Sequence, residues 1–192
     1  MTGILAVLLS AGPLGVLLAI SLRRENEAAV VNTAGALAVT LLPVSVEFLL
    51  GPPVTFTPLL TYWAGVASVL HCLGMLGLYD RINVWDHLTH TVSAALATAV
   101  LYGGLLSMGG LTRPDAAVAT LVVLLGLGVL WEAVELLFRE LGERFGIEPV
   151  LIHYGWRDTA FDLVFDVVGA VLVLAVDVRL FVSVFETLEK GL

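Results

Sequence analysis

With 192 residues, of which 59% are hydrophobic and 14% charged, and a mean hydropathy of +1.00, the chain is too apolar for a soluble domain, where about 45–50% apolar and about 25% charged residues are usual. A net charge of −8, from 9 Lys and Arg against 17 Asp and Glu, excludes the basic patch that nucleic-acid binding requires. The single cysteine, Cys72, excludes an internal disulfide framework and any Cys-based metal spacing.

What remains is an all-α fold, a polytopic transmembrane helix bundle, expected as a single integral membrane domain over residues 1–192 in the lipid bilayer of a cell membrane. The lysine-poor, acid-rich composition is that of a salt-adapted or high-GC prokaryote. Six apolar runs approach the roughly 20 residues that a spanning helix needs. The first covers 3–22, with Pro13 inside it and Arg23-Arg24-Glu25 at its exit. It lacks a positive flank before the apolar run, so it is expected to be a retained helix and not a cleaved signal. The second covers 28–50 and stops at Gly51-Pro52-Pro53; the third covers 58–79 and ends at Asp80-Arg81. The fourth covers 85–108, the fifth 116–138 and the sixth 158–181. Most connections are short. A longer one, 139–157, joins runs five and six, and loops of that length in a bundle are often functional. Trp85, Trp131 and Trp156 read most simply as interfacial anchors.

Lys/Arg counting sets the orientation. Arg23, Arg24, Arg81, Arg139, Arg144 and Arg157 fall on one side, and Arg113, Arg179 and Lys190 on the other. The first side is expected to be cytoplasmic.

Alternation of six spans brings the end of run three, the start of run four, the end of run five and the start of run six to that same side. The unusual residues gather there. Asp86 and His90 are four apart on run four, hence on one helix face; Glu132 and Glu135 close run five; Asp158, Asp162 and Asp166 form a stripe at one-turn spacing on run six. Tyr79 and Asp80 end run three, with His71 deeper in it. Asp80, Asp86, Glu132, Glu135, Asp158, Asp162 and Asp166 face only Arg81, Arg139 and Arg157 as nearby fixed cations. Such an excess of acid in low dielectric is relieved by protonation, by ion pairing or by a bound cation. Oxygen and imidazole donors without thiolate suit a divalent cation such as Mg²⁺, Mn²⁺ or Zn²⁺. Asp86, His90, Asp162, Asp166 and Glu132 are the expected metal ligands, Glu135 and Glu132 the expected catalytic carboxylates, and His71, Asp80 and Asp158 weaker members. Asp80, Glu135 and Asp158 also read as solvated helix ends, with Asp158 suited to capping run six. His87 points away from the Asp86/His90 face, and His153 lies in the loop.

Three motifs occur in order: Asp86-x3-His90, Trp131-Glu132-x2-Glu135 and Asp162-x3-Asp166-x2-Gly169-Ala170. Together they resemble the VanZ-like membrane proteins, which show Asp-x3-His, Trp-Glu-x2-Gln and Asp-x3-Asn-x2-Gly. The Asp158-Thr159 pair and the Asp-x3-Asp form look closer to the YjdF-like family of uncharacterised membrane proteins. The likeness covers about 75–175. Glu135 and Asp166 depart from the VanZ pattern toward more acid. The resemblance implies a site residue list rather than a reaction.

The residues leave three functions open. One is a metal-dependent membrane enzyme acting on a lipid or lipid-linked headgroup. Another is an ion- or proton-coupled transporter or channel, with a homo-oligomer able to complete its path. The third is a non-catalytic membrane module in which the acids hold the bundle or dock a partner.

Overall fold

A bilayer offers backbone amides no water, so spanning segments satisfy their hydrogen bonds internally as helices. The computed structural model describes residues 3–51, 55–146, 150–151 and 155–180, and every regular element among them is helical. His153 and the tail containing Lys190 lie outside the described residues. Six helices follow in order: α1 Gly3–Arg23, α2 Glu27–Leu50, α3 Pro58–Arg81, α4 Trp85–Ser107, α5 Arg113–Phe145 and α6 Trp156–Ala175. The first five are long and apolar enough to cross a membrane. α6 has 20 residues, about 30 Å, which is spanning length, but it carries Asp158, Asp162 and Asp166.

Local sequence explains the ends. Asn26 caps α2, its side chain accepting from the Ala29 amide at 2.8 Å. Thr112 caps α5 ahead of Pro114, where a missing N–H costs nothing. α5 runs past residue 138, so the first part of the expected 139–157 loop is helical. An Arg139–Glu143 pair one turn apart supports the extension, and Gly146 ends it at φ 65. α6 starts after Gly155, which places Asp158 in its first turn and not at the N-cap. It ends at Ala175, short of residue 181, because Asp177 turns to φ 53 and pairs with Arg113 and Arg179. α3 is not the uninterrupted helix its apolar run suggests. Pro58–Leu73 is α-helical, Gly74–Leu78 widens into a π turn, and Gly77 sits at φ 109, a conformation that glycine adopts without steric cost.

The helices pack as two triplets, α1–α2–α3 and α4–α5–α6, joined along α3 and α4. Without a hydrophobic driving force between helices in lipid, small residues set the closest approaches. A Cβ on Gly65 would fall 2.3 Å from the Ser10 Cβ, so α1 and α3 touch there. A Cβ on Gly169 would fall 2.3 Å from the Thr91 carbonyl oxygen, so the backbones of α4 and α6 meet. Leu14, Leu17 and Cys72 form the core of the first triplet, and Ala94, Leu124 and Ala170 that of the second. Between triplets, the Trp85 indole donates to the Leu70 carbonyl at 3.0 Å and Trp63 to the Val92 carbonyl at 3.2 Å. Trp85 therefore spends its polar atom on α3 rather than on a headgroup, whereas Trp156 is 76% exposed with the Arg157 guanidinium over its ring.

Candidate functional site

The Gly169–Thr91 contact carries the site. One turn before Gly169 on α6 is Asp166, and one turn before that is Asp162; pressing α6 onto α4 drives both carboxylates against His90. His90 Nδ1 lies 3.1 Å from Asp166 Oδ1. An ionised carboxylate only accepts, so His90 donates from Nδ1 and, in the neutral ring, presents a bare lone pair at Nε2. Facing that lone pair are Asp162 Oδ1 at 3.8 Å and Asp86 Oδ1 at 3.9 Å. Both separations exceed hydrogen-bond length, about 2.7–3.2 Å. Asp162 is 2% exposed, and its Oδ1 has no hydrogen-bond partner among the described residues.

In that neutral form three lone-pair donors converge at a partly buried spot. One donor atom each from Asp86, His90 and Asp162 lies within 4.8 Å of the others. Two donors held about 2.0–2.2 Å from one tetrahedral ion would sit about 3.4 Å apart, so seating a cation would draw each carboxylate about 0.5 Å closer to His90 and close the two carboxylates on each other by up to about 1.4 Å. Asp166 on the far ring nitrogen reproduces the carboxylate–histidine arrangement that fixes a metal-binding imidazole.

The other expected site residues divide. Glu135 is buried, accepts from the Trp131 indole at 2.8 Å and lines a cavity beside Asp86 and His90. Glu132, also buried, accepts from the Thr159 hydroxyl at 2.7 Å and so ties α5 to α6; it is not one of the three convergent donors. Asp158 is half-buried in the first turn of α6, and Asp80 is exposed at the end of α3. His87 stacks on Phe165 with ring centroids 4.2 Å apart, away from the cluster.

His71 joins the cavity wall with both nitrogens engaged, Nε2 with Asn32 Oδ1 at 3.0 Å and Nδ1 with the Tyr79 hydroxyl at 2.9 Å. The Asn32 amide donates to the Ala28 and Val150 carbonyls, so its oxygen must accept and His71 Nε2 must donate. In the neutral ring Nδ1 then accepts from Tyr79. The broken end of α3 makes this possible. The chain kinks at Gly77, and Gly74 leaves room for the Tyr79 ring, which a Cβ there would meet at 2.3 Å. Thr89 completes the wall, donating to the Asp86 carbonyl at 2.8 Å, with its oxygen 3.5 Å from the Tyr79 hydroxyl. Sequence reasoning missed Asn32 and Thr89 and treated Tyr79 only as a helix end. Asn32, a lone amide inside an apolar span, was the available signal.

On the opposite face the acids have ordinary employment. Glu47 accepts from the Phe56 amide, and Asp177 pairs with Arg113 at 3.6 Å and Arg179 at 2.9 Å. The unbalanced charge is at one end of the bundle.

Residues 5–182 match the model of a family described as "Predicted membrane protein (DUF2238)". The chain belongs to that family. No curated protein and no solved structure matches it. The matched range reaches into all six helices, well beyond the 75–175 stretch that holds the motifs. It therefore takes in α2, which supplies Asn32 and one wall of the cavity. The family description states a membrane setting, which the helices share; what the Asp86–His90–Asp162 cluster does must be argued from its geometry.

Proposed function

We propose that this protein is a membrane-embedded, divalent-cation-dependent enzyme acting on the headgroup of a lipid or lipid-linked substrate at the cytoplasmic face. Asp86, His90 and Asp162 are the ligands, and Asp166 orients His90. Three protein ligands leave coordination positions open, the pattern of catalytic rather than structural sites. A cation there would polarise a phosphoryl or acyl oxygen and lower the pKa of a bound water. Glu135, on the cavity wall beside Asp86 and His90, is placed to serve as general base. Glu132 supports the site by holding α5 to α6 through Thr159. The likeness to YjdF-like and VanZ-like motifs agrees with this residue list.

The observation that carries the reading is Asp162 Oδ1, buried without a hydrogen bond and 3.8 Å from His90 Nε2. Two alternatives fit less well. A transport path needs polar groups toward the other face, but the deep end of the cavity is lined by Leu96, Ala97 and Leu124. A purely structural cluster is unnecessary where glycine and alanine already join α4 to α6.

Elemental analysis of detergent-purified protein tests the proposal. Near one divalent ion per chain is expected in the wild type, with loss in Asp162→Asn at unchanged helix content. Metal-free wild-type protein that remains folded would sink it.

A further inference from the structure

A cavity of about 570 Å³ lies between the two triplets, within the range of small-molecule sites, about 300–1,000 Å³. Its two ends differ. Asp86, His90, Glu135 and Tyr79 line one end, and Val39, Leu96, Ala97 and Leu124 line the other. Along α4 the lining runs from Asp86 to Ala97, and along α5 from Glu135 to Leu124. At about 1.5 Å per residue each stretch is about 16 Å long. That is about half of a hydrocarbon core of about 30 Å. The slot therefore reaches from one interface to the bilayer midplane, the depth of one leaflet.

Its side walls are α2 and α5, which belong to different triplets and do not pack along one another; the triplets meet through α3 and α4. The slot is thus bordered by two lipid-facing helices, with Val150 and Leu151 set against Asn32 of α2 at its polar end. An empty apolar void of this size is costly, and below the level of His90 the lining side chains offer water only the Ser68 and Ser93 hydroxyls. Hydrocarbon is the solvent that fits.

We infer that the slot holds one hydrocarbon chain of a phosphomonoester lipid, admitted sideways between α2 and α5, with its phosphate at the Asp86–His90–Asp162 end. The phosphate part rests on the cation reading above, because an anion approaches carboxylates only through a bridging cation; the chain part does not. Depth, polarity and lateral access then act together. The lipid keeps its leaflet and depth, and its headgroup arrives at the cluster without leaving the membrane.

The test uses the full chain in phosphatidylcholine vesicles containing phosphatidic acid with a diazirine at one chain terminus. After illumination, labelled residues are mapped by mass spectrometry. Adducts are expected on the deep-end stretch around Leu96, Ala97 and Leu124, above those on Val122, which is 66% exposed on the lipid side of α5. Gly35→Leu is the blocking variant, because Gly35 lines the slot and a Cβ there meets nothing within 4 Å. It should lose most deep-end labelling while keeping the wild-type metal content. A chelator should reduce labelling by the phosphatidic acid probe and leave that by a phosphatidylcholine probe unchanged.

Label spread evenly over lipid-facing positions, or unaffected by Gly35→Leu, overturns the chain slot and leaves a metal-containing protein's cation reading intact. Equal labelling by both lipids overturns the phosphomonoester assignment. Displacement of the label by millimolar inorganic phosphate alone would show a phosphate site to which the chain adds nothing, and would overturn the lipid as its source. Deep-end labelling in a metal-free protein would keep the slot and discard both the phosphate bridge and the enzyme reading.

Discussion

Replacing Gly169 by alanine tests the helix contact on which the cluster depends. The new Cβ would lie 2.3 Å from the Thr91 carbonyl oxygen and 3.0 Å from the Ala95 amide nitrogen, both backbone atoms that no rotamer change can move aside. Carbon–oxygen contacts between helices settle at about 3.3–3.6 Å, so α4 and α6 must part locally by about 1 Å. Asp166 is one turn away, and its bond to His90 starts at 3.1 Å. Opening by that amount takes it past hydrogen-bond reach, about 3.5 Å. Overpacking costs about 1–3 kcal/mol, and polar contacts between membrane helices contribute about 0.6 kcal/mol on average, so a loss of about 2 kcal/mol is expected. Freeing His90 from its orienting carboxylate should weaken cation binding by about 10–100-fold. Thermal unfolding in detergent and titration with Mn²⁺ or Zn²⁺ read the two effects together. Gly35→Ala is the control, since it adds the same methyl group in open space. If Gly169→Ala unfolded and bound cation like Gly35→Ala, the close α4–α6 crossing and its role in forming the cluster would both be refuted.

Two further substitutions separate roles within the site. Asp166→Asn keeps an oxygen acceptor for His90 Nδ1 but removes its charge; cation affinity should fall by about 10–100-fold, the usual range for an outer-shell change, while Asp162→Asn abolishes binding. Equal losses in isothermal titration would place Asp166 among the direct ligands instead. Tyr79→Phe leaves His71 Nδ1 without its partner and should cost about 1–3 kcal/mol of stability with cation content unchanged. A change in bound metal without a change in unfolding temperature would show that Tyr79 serves the cation and not the α3 break.

The one-turn spacings on α4 and α6 were legible because they are helix geometry: residues four apart share a face whatever surrounds the helix. Alternating spans then placed four helix ends at one membrane face; of the acids there, Asp86, Asp162 and Asp166 approach His90, while Asp80 is exposed and Glu132 engages Thr159. Gly169 and Ala170 were readable as a close-contact site for the same reason, since small residues in a membrane helix permit backbone approach. Partner choice across helices was not readable. Glu132 looked equivalent to Asp162 by residue type and depth, yet it engages Thr159. His71 looked like a spare ligand until Asn32 and Tyr79 occupied both its nitrogens. The break in α3 was hidden because Gly74 and Gly77 are ordinary residues of an apolar run, and only the Tyr79 ring packed against Gly74 gives them a purpose.

Taken alone, the amino-acid sequence determined the membrane setting, the helical class, the approximate spans and the acidic face, since hydropathy and helical periodicity are local properties that survive any arrangement of neighbours. Tertiary structure decided the rest. Asp166 took Nδ1 of His90 and left Nε2 to Asp86 and Asp162. The triplets stood apart far enough to leave a slot one leaflet deep. Both outcomes depend on where glycines let backbones touch and on which helices stay separated, and such distances between segments remote in sequence are set only when the whole bundle packs.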